Sequence, residues 1–189
     1  MHSLNVIAFF AALLGISSVI LTARQHIWCW PIGILSTIFS VYVYFEQALY
    51  AESALQIIYL GMAIYGWLAW ANKLPQKVVL SVSALTFNQN LMIIALSAAA
   101  GLAIGLFFFQ FTKSPVSFID SGLTSFSLAA NYLAARKKID NWIYWIVINL
   151  ISIALYEYKE MHWFSILFFF YLVIAIRGYF GWRGTLETT

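Results

Sequence analysis

The stretch RQHIWCWPIGILSTIFSVYVYFEQALYAESALQIIYLGMAIYG, residues 24–66, decides the fold because it recurs. Moved forward by 112 residues without a gap, it falls on RKKIDNWIYWIVINLISIALYEYKEMHWFSILFFFYLVIAIRG, residues 136–178. The two stretches agree at 13 of 43 positions, among them Arg24/Arg136, Trp30/Trp142, Ser40/Ser152, Tyr44/Tyr156, Ser53/Ser165, Tyr59/Tyr171 and Gly66/Gly178. Apolar coincidences are common between greasy segments. Coincidences of arginine, tryptophan, serine and tyrosine in one register are not.

The composition sets the environment. The chain has 189 residues, 63% hydrophobic and 9% charged, where a soluble domain carries roughly 25% charged residues. It cannot cover its own surface in water, so it reads as an integral membrane protein. The one cysteine, Cys29, excludes an internal disulfide and a cysteine metal cluster. The first apolar run has no basic leader or small-residue cleavage site, so it reads as a span rather than a cleaved signal.

Seven apolar runs are long enough to cross a bilayer, which takes about 20 residues of helix. They lie near 4–22, 28–46, 50–71, 91–110, 116–135, 141–158 and 162–181. Their continuity lacks the alternation of a membrane barrel, which leaves helices. An odd number of spans puts the termini on opposite sides. One side collects Arg24, Lys73, Lys77, Arg136, Lys137, Lys138, Arg177 and Arg183, and the other only Lys113 and Lys159. Basic loops stay in the cytoplasm, so the N-terminus is expected outside and the C-terminus inside.

The repeat then gains a direction. Spans 1–3 match spans 5–7, and the single span 4 restores the orientation of the second copy, so the copies are parallel. The expected fold is one all-α transmembrane domain over 1–189. A first three-helix repeat covers 1–72, a connector helix 88–112 and a second repeat 113–183. This 3+1+3 layout is the parallel-repeat architecture of the SWEET sugar transporters, and duplicated membrane helices place a site between the copies near the midplane. In span 4, Ser97, Gly101 and Gly105 make a small-residue stripe that suits close helix approach, within the chain or between subunits.

Helical spacing puts Trp142, Trp145, Asn149, Ser152 and Tyr156 on one stripe of span 6, matched by Trp30, Gly33, Thr37, Ser40 and Tyr44 on span 2. Span 3 carries Gln56, Tyr59, Ala63, Trp67 and Trp70, and span 5 aligns Asp120, Thr124, Ser127 and Asn131. Polar groups are costly in lipid and should face the bundle interior or a wet cavity. Two readings stay open for the aromatics: interfacial belt or ligand wall. The serines have their own backbone as a ready partner. Asn149 and Gln56 each need two donors and an acceptor satisfied, by a neighbouring helix or by a ligand. Asp120 either caps span 5 or gates it, and Pro31 is either a harmless first-turn proline or a hinge.

Aromatic walls with amides and no buried cation suit a flat ring bearing hydroxyls or a delocalised positive charge, and suit phosphate poorly. His2, His26 and His162 lie near span ends, so no mid-membrane proton relay is evident and passive transport is the simpler reading. No phosphate loop, nucleophile elbow or zinc motif occurs, which argues against an enzyme, a metal site, a cofactor or a nucleic-acid partner. A scaffold without a ligand would have no use for two copies of one aromatic–polar stripe.

At HIWCWPIGILS (26–36), LYAESALQIIYLGMAIYGWLAW (49–70), DSGLTSFSLAANYLAARKKIDNWIYWIVIN (120–149) and ALYEYKE (154–160) the chain resembles the PnuC family of bacterial vitamin transporters. The resemblance implies a full-length bacterial relative of the SWEET fold, a homotrimer, and a place in the bacterial inner membrane. It implies uptake of a vitamin precursor, first nicotinamide riboside, by facilitated diffusion, with a separate cytoplasmic kinase trapping the product. Thiamine is the alternative within the family, and riboflavin a further one. Carried over residue by residue, the ligand set is Trp67 and Trp70, the group Asn141, Trp142, Trp145 and Asn149, and Gln56 with Tyr59. Asn131 stands where some relatives have glutamine, and 159–165 departs from the family pattern.

Overall fold

The computed structural model describes residues 2–73, 80–112 and 116–186, so Lys77 and Lys113 of the charge count lie outside it, as do Pro75 and Pro115. Among the described residues seven helices follow in order: α1 His2–Ala23, α2 Cys29–Glu46, α3 Tyr50–Trp70, α4 Phe87–Thr112, α5 Val116–Ala135, α6 Asp140–Tyr158 and α7 His162–Arg183. Each coincides with an expected span. The largest shift is at α4, which starts at Phe87 rather than 91. A capping box accounts for it: the Thr86 N–H donates to Gln89 Oε1 at 3.0 Å and the Gln89 N–H to Thr86 Oγ1 at 3.3 Å.

Among the described residues, five helices are long and apolar enough to cross a membrane. α5 and α6 are not among them, because they carry the polar stripes. On the α6 stripe Trp142, Asn149 and Ser152 are buried; on α5 Asp120 is exposed, Thr124, Ser127 and Asn131 are half-buried, and the buried serines are Ser121 and Ser125, one position along. Phe9, Leu13, Ile57, Leu96, Leu102 and Phe170 are exposed around the circumference. A surface of this kind requires lipid rather than water.

The packing repeats as the sequence does. α1 packs on α2 and α2 on α3; α5 packs on α6 and α6 on α7. The halves meet through α1 with α7 and through α3 with α5, and the 112-residue shift turns each of these contacts into the other. Individual bonds obey the same rule. The Ser53 hydroxyl donates to Val41 O at 3.2 Å, and that of Ser165 to Ile153 O at 3.1 Å. The Trp70 indole N–H donates to Ala134 O at 3.3 Å, and that of Trp182 to Thr22 O at 3.0 Å. Gln25 and Lys137 end α1 and α5 with φ of 55° and 50°. The next N–H closes back on Leu21 O and Leu133 O, at 2.9 and 2.8 Å.

Two identities of the repeat have a steric reason. The Trp30 indole lies against Gly66 and the Trp142 indole against Gly178, where a Cβ would fall 2.7 Å from three ring atoms. α4 lies mainly along α5. A Cβ on Gly101 would come 3.1 Å from Gly122 Cα, and the Ser125 hydroxyl donates to Ser97 O at 2.7 Å. The small-residue stripe therefore serves packing within the chain.

Candidate substrate site

A cavity of about 360 Å³ lies between the two halves. Its lining is itself duplicated: Val19/Asn131, Thr22/Ala134, Trp30/Trp142, Gly33/Trp145, Thr37/Asn149, Gln56/Phe168, Tyr59/Tyr171 and Ala63/Ala175 are eight pairs separated by 112. The cavity thus straddles the line that relates the copies. Helices α1, α2, α3, α5, α6 and α7 all contribute, and none of its described lining residues is charged.

Of the expected site residues, Gln56, Tyr59, Asn131, Asn141, Trp142, Trp145 and Asn149 line this cavity. Trp67 does not; it is 42% exposed on the outside of α3. Trp70 stands behind the wall. Its ring meets Trp30 edge-on at 5.5 Å and Trp182 at 6.0 Å, and Trp142 meets Trp182 edge-on at 5.6 Å. Four indoles from α2, α3, α6 and α7 so close the end of the cavity toward the basic loops. The Lys137 ammonium lies 4.8 Å from the Trp70 ring centre, and burial pushes its pKa down. Arg136, whose guanidinium donates to Tyr65 Oη at 3.3 Å, is held charged by that bond. Trp28 and Trp163 stay exposed, where belt residues belong.

Pro31 and Asp120 lie off the cavity lining. Asp120, near the opposite end of α5, pairs with Lys159 at 3.2 Å. The hydroxyls are largely spent on backbone: Ser18 on Cys29 O at 2.8 Å, Ser36 on Ala11 O at 2.7 Å, Thr37 on Gly33 O at 2.8 Å and Ser40 on Ser36 O at 3.0 Å. Three buried polar atoms differ. Trp30 Nε1, Trp142 Nε1 and Asn141 Oδ1 have no hydrogen-bond partner among the described residues. All three side chains line the cavity. The Asn141 amide nitrogen is held by Lys138 O at 2.6 Å, which fixes the orientation of the free oxygen. Burying such groups unpaired costs about 1–3 kcal/mol each, and in this structure the three atoms are themselves closed off from the cavity space.

The α1 lining, Gly15, Ser18, Val19 and Thr22, was absent from the expected site. The repeat offered the signal, since Asn131 and Ala134 shifted back by 112 give Val19 and Thr22.

The sequence profile of the nicotinamide mononucleotide transporter family matches residues 5–184. The chain belongs to that family. It is 23% identical over 203 residues to the nicotinamide riboside transporter PnuC of Escherichia coli K12, covering 94% of this chain and 84% of that protein. It is 24% identical over 191 residues to the PnuC of Neisseria mucosa, covering 93% and 71%. It is 26% identical over 151 residues to the riboflavin/roseoflavin transporter RibM of Streptomyces davaonensis, covering 76% and 68%. A crystal structure of the vitamin B3 transporter PnuC superposes with a TM-score of 0.72 at 22% identity, covering 95% of this chain and 81% of that one. The PnuC resemblance is borne out. The protein is a multi-pass membrane transporter of this family and not an enzyme.

Proposed function

We propose that the protein carries nicotinamide riboside across the membrane by facilitated diffusion. The observation that carries this reading is the cavity walled by Trp30, Trp142, Trp145, Tyr59 and Tyr171, with the amides of Gln56, Asn131 and Asn149 and no charged residue in its described lining. A ribosylated pyridinium matches that inventory. Its hydroxyls and carboxamide can exchange hydrogen bonds with the lining amides, and its delocalised charge is attracted by aromatic faces. The relatives named for the riboside support the same choice. The mononucleotide in the family's name adds a phosphate, and among the described residues no cation lines the cavity to pair it. The riboside's single positive charge is delocalised and meets aromatic faces, whereas a compact phosphate charge buried without a cation is far more costly, which favours the nucleoside.

Net uptake without a coupling group in the cavity requires a sink, which phosphorylation by a separate cytoplasmic kinase supplies. The basic ends of α1, α5 and α7 face the cytoplasm, with the N-terminus outside, in the bacterial inner membrane. The paired bonds and the paired cavity lining support the 3+1+3 parallel repeat of the SWEET type, and the protein works as a homotrimer as its resemblance implies. A second reading, riboflavin, is favoured by the RibM relative; thiamine shares the flat cationic ring.

Titration calorimetry on the purified protein tests the substrate with nicotinamide riboside, thiamine, riboflavin and nicotinamide mononucleotide. Saturable binding of the riboside alone is expected. Binding of the mononucleotide at equal affinity would refute the charge argument, and binding of riboflavin or thiamine alone would replace the substrate.

A further inference from the structure

Segment 80–86, ahead of α4, is built into the bundle rather than solvated. Val82 is 3% exposed and packs with Ile139, Trp142, Ala175 and Trp182. Ser83 forms a one-residue parallel β-bridge with Lys138: its N–H donates to Lys137 O at 3.2 Å and its carbonyl accepts from the Ile139 N–H at 2.9 Å. The Lys138 ammonium donates to the Ser83 hydroxyl at 2.9 Å. The Leu85 N–H donates to Asp140 Oδ2 at 2.7 Å.

Asp140 is only 9% exposed. A buried carboxylate is costly unless its bonds are good, and here it holds a segment 55 residues away in the chain. The repeat frame does not require it, because its counterpart at minus 112 is Trp28. The seat also touches the cavity. Trp142 lines the cavity and packs against Val82. Asn141, with its free oxygen, is anchored to the carbonyl of Lys138, the residue bridged to Ser83.

We propose that Asp140 is a positioning residue for transport: it pins segment 80–86 across the basic end of the bundle as an inner bolt, which withdraws when a ligand passes that end. The four-indole closure and Val82 stand together between the cavity and the basic loops. At the opposite end the described links between helices, 47–49 and 159–161, are too short to form such a bolt. The inference needs a transported ligand but not its identity.

Two measurements test it, both in a Cys29→Ala background. In the first, Val82→Cys is labelled with a soluble maleimide without ligand. Adding Asp140→Ala should speed labelling about tenfold, while Asp140→Asn, which keeps an acceptor oxygen, should stay within about twofold of the parent. Equal rates in the alanine variant and its parent would overturn the role of Asp140. In the second, Ser83→Cys and Lys138→Cys are oxidised together. Bridged neighbours lie about 4.8 Å apart, within the ~4.4–6.8 Å that a disulfide spans. The cross-linked protein in liposomes should bind nicotinamide riboside within about twofold of wild type yet lose uptake at least about tenfold, with recovery on reduction. Full uptake by the cross-linked protein, or failure of the pair to cross-link, would overturn the bolt. Wild-type binding reports separately on the substrate, and the labelling arm needs none, so the two readings fail independently.

Discussion

Gly178→Ala adds a single methyl group at the most crowded point of the second repeat. Its Cβ would fall 2.7 Å from Cε2, Cζ2 and Cη2 of Trp142, well inside the roughly 3.5–4.0 Å of an unstrained carbon contact. Relief requires the indole to shift. It is 1% exposed, with Trp182 edge-on at 5.6 Å and Ala175 and Val82 around it. Overpacking of this kind costs about 1–3 kcal/mol. Replacing glycine by alanine within a helix returns about 1 kcal/mol, so a control is needed. Gly61→Ala provides it, because nothing lies within 4 Å of its added carbon. The difference between the two variants isolates the clash. In thermal unfolding of detergent-solubilised protein, Gly178→Ala should melt roughly 2–10 °C below Gly61→Ala. Because the displaced indole also lines the cavity, riboside affinity should fall about tenfold, equivalent to 1.4 kcal/mol. Gly66→Ala should behave alike through Trp30. Equal melting of Gly178→Ala and Gly61→Ala would refute the packing argument for the repeated glycines.

Replacing Asn149, which is 3% exposed on the cavity wall, with leucine should abolish riboside binding by calorimetry while the melting point holds. Trp142→Phe keeps an aromatic wall and removes one indole donor, which should weaken binding by about 0.5–1.5 kcal/mol; unchanged affinity would show that the free Nε1 meets no ligand. Trp67→Ala, on the exposed face of α3, should leave affinity unchanged, and a loss would return Trp67 to the site. A cytoplasm-only reporter fused after Thr189 should be active, and a silent reporter on a well-expressed fusion would invert the topology.

The helices were legible because lipid removes most alternatives: a long apolar run must be a helix, and short links fix its neighbours. The cavity was legible on α3, α5 and α6, where amides interrupt apolar runs. It was hidden on α1, whose Gly15, Ser18 and Thr22 are small enough to pass for packing residues. Trp67 and Trp70 look alike in sequence, three residues apart on one helix. Only the packing of Trp30 and Trp182 around Trp70 separates a half-buried ring from an exposed one. The seat of segment 80–86 was illegible for a different reason. Its hold depends on a one-residue β-bridge and a single carboxylate 55 residues distant, and neither leaves a periodic trace.

The repeat divides the labour between identical and unlike positions. Identical pairs build the frame: Trp30/Trp142 against Gly66/Gly178, Ser53/Ser165 on the preceding helix, Ala63/Ala175 where the wall must stay thin. Unlike pairs carry the polarity. Gln56 faces Phe168 across the pseudo-symmetry, Asn131 faces Val19, and Asn149 faces Thr37, whose hydroxyl is already spent on Gly33. The amides therefore gather on α3, α5 and α6, while α1 and α7 offer mostly carbon. A symmetric frame alone would let a ligand bind in two equivalent orientations. Amides on one side only would remove that degeneracy, so a molecule with one hydroxylated edge and one aromatic face would have a single favourable pose. Moving an amide across the axis should test this directly. Val19→Asn with Asn131→Val conserves the cavity's composition but should lose affinity relative to wild type, whereas a cavity that merely counts polar groups would bind equally well.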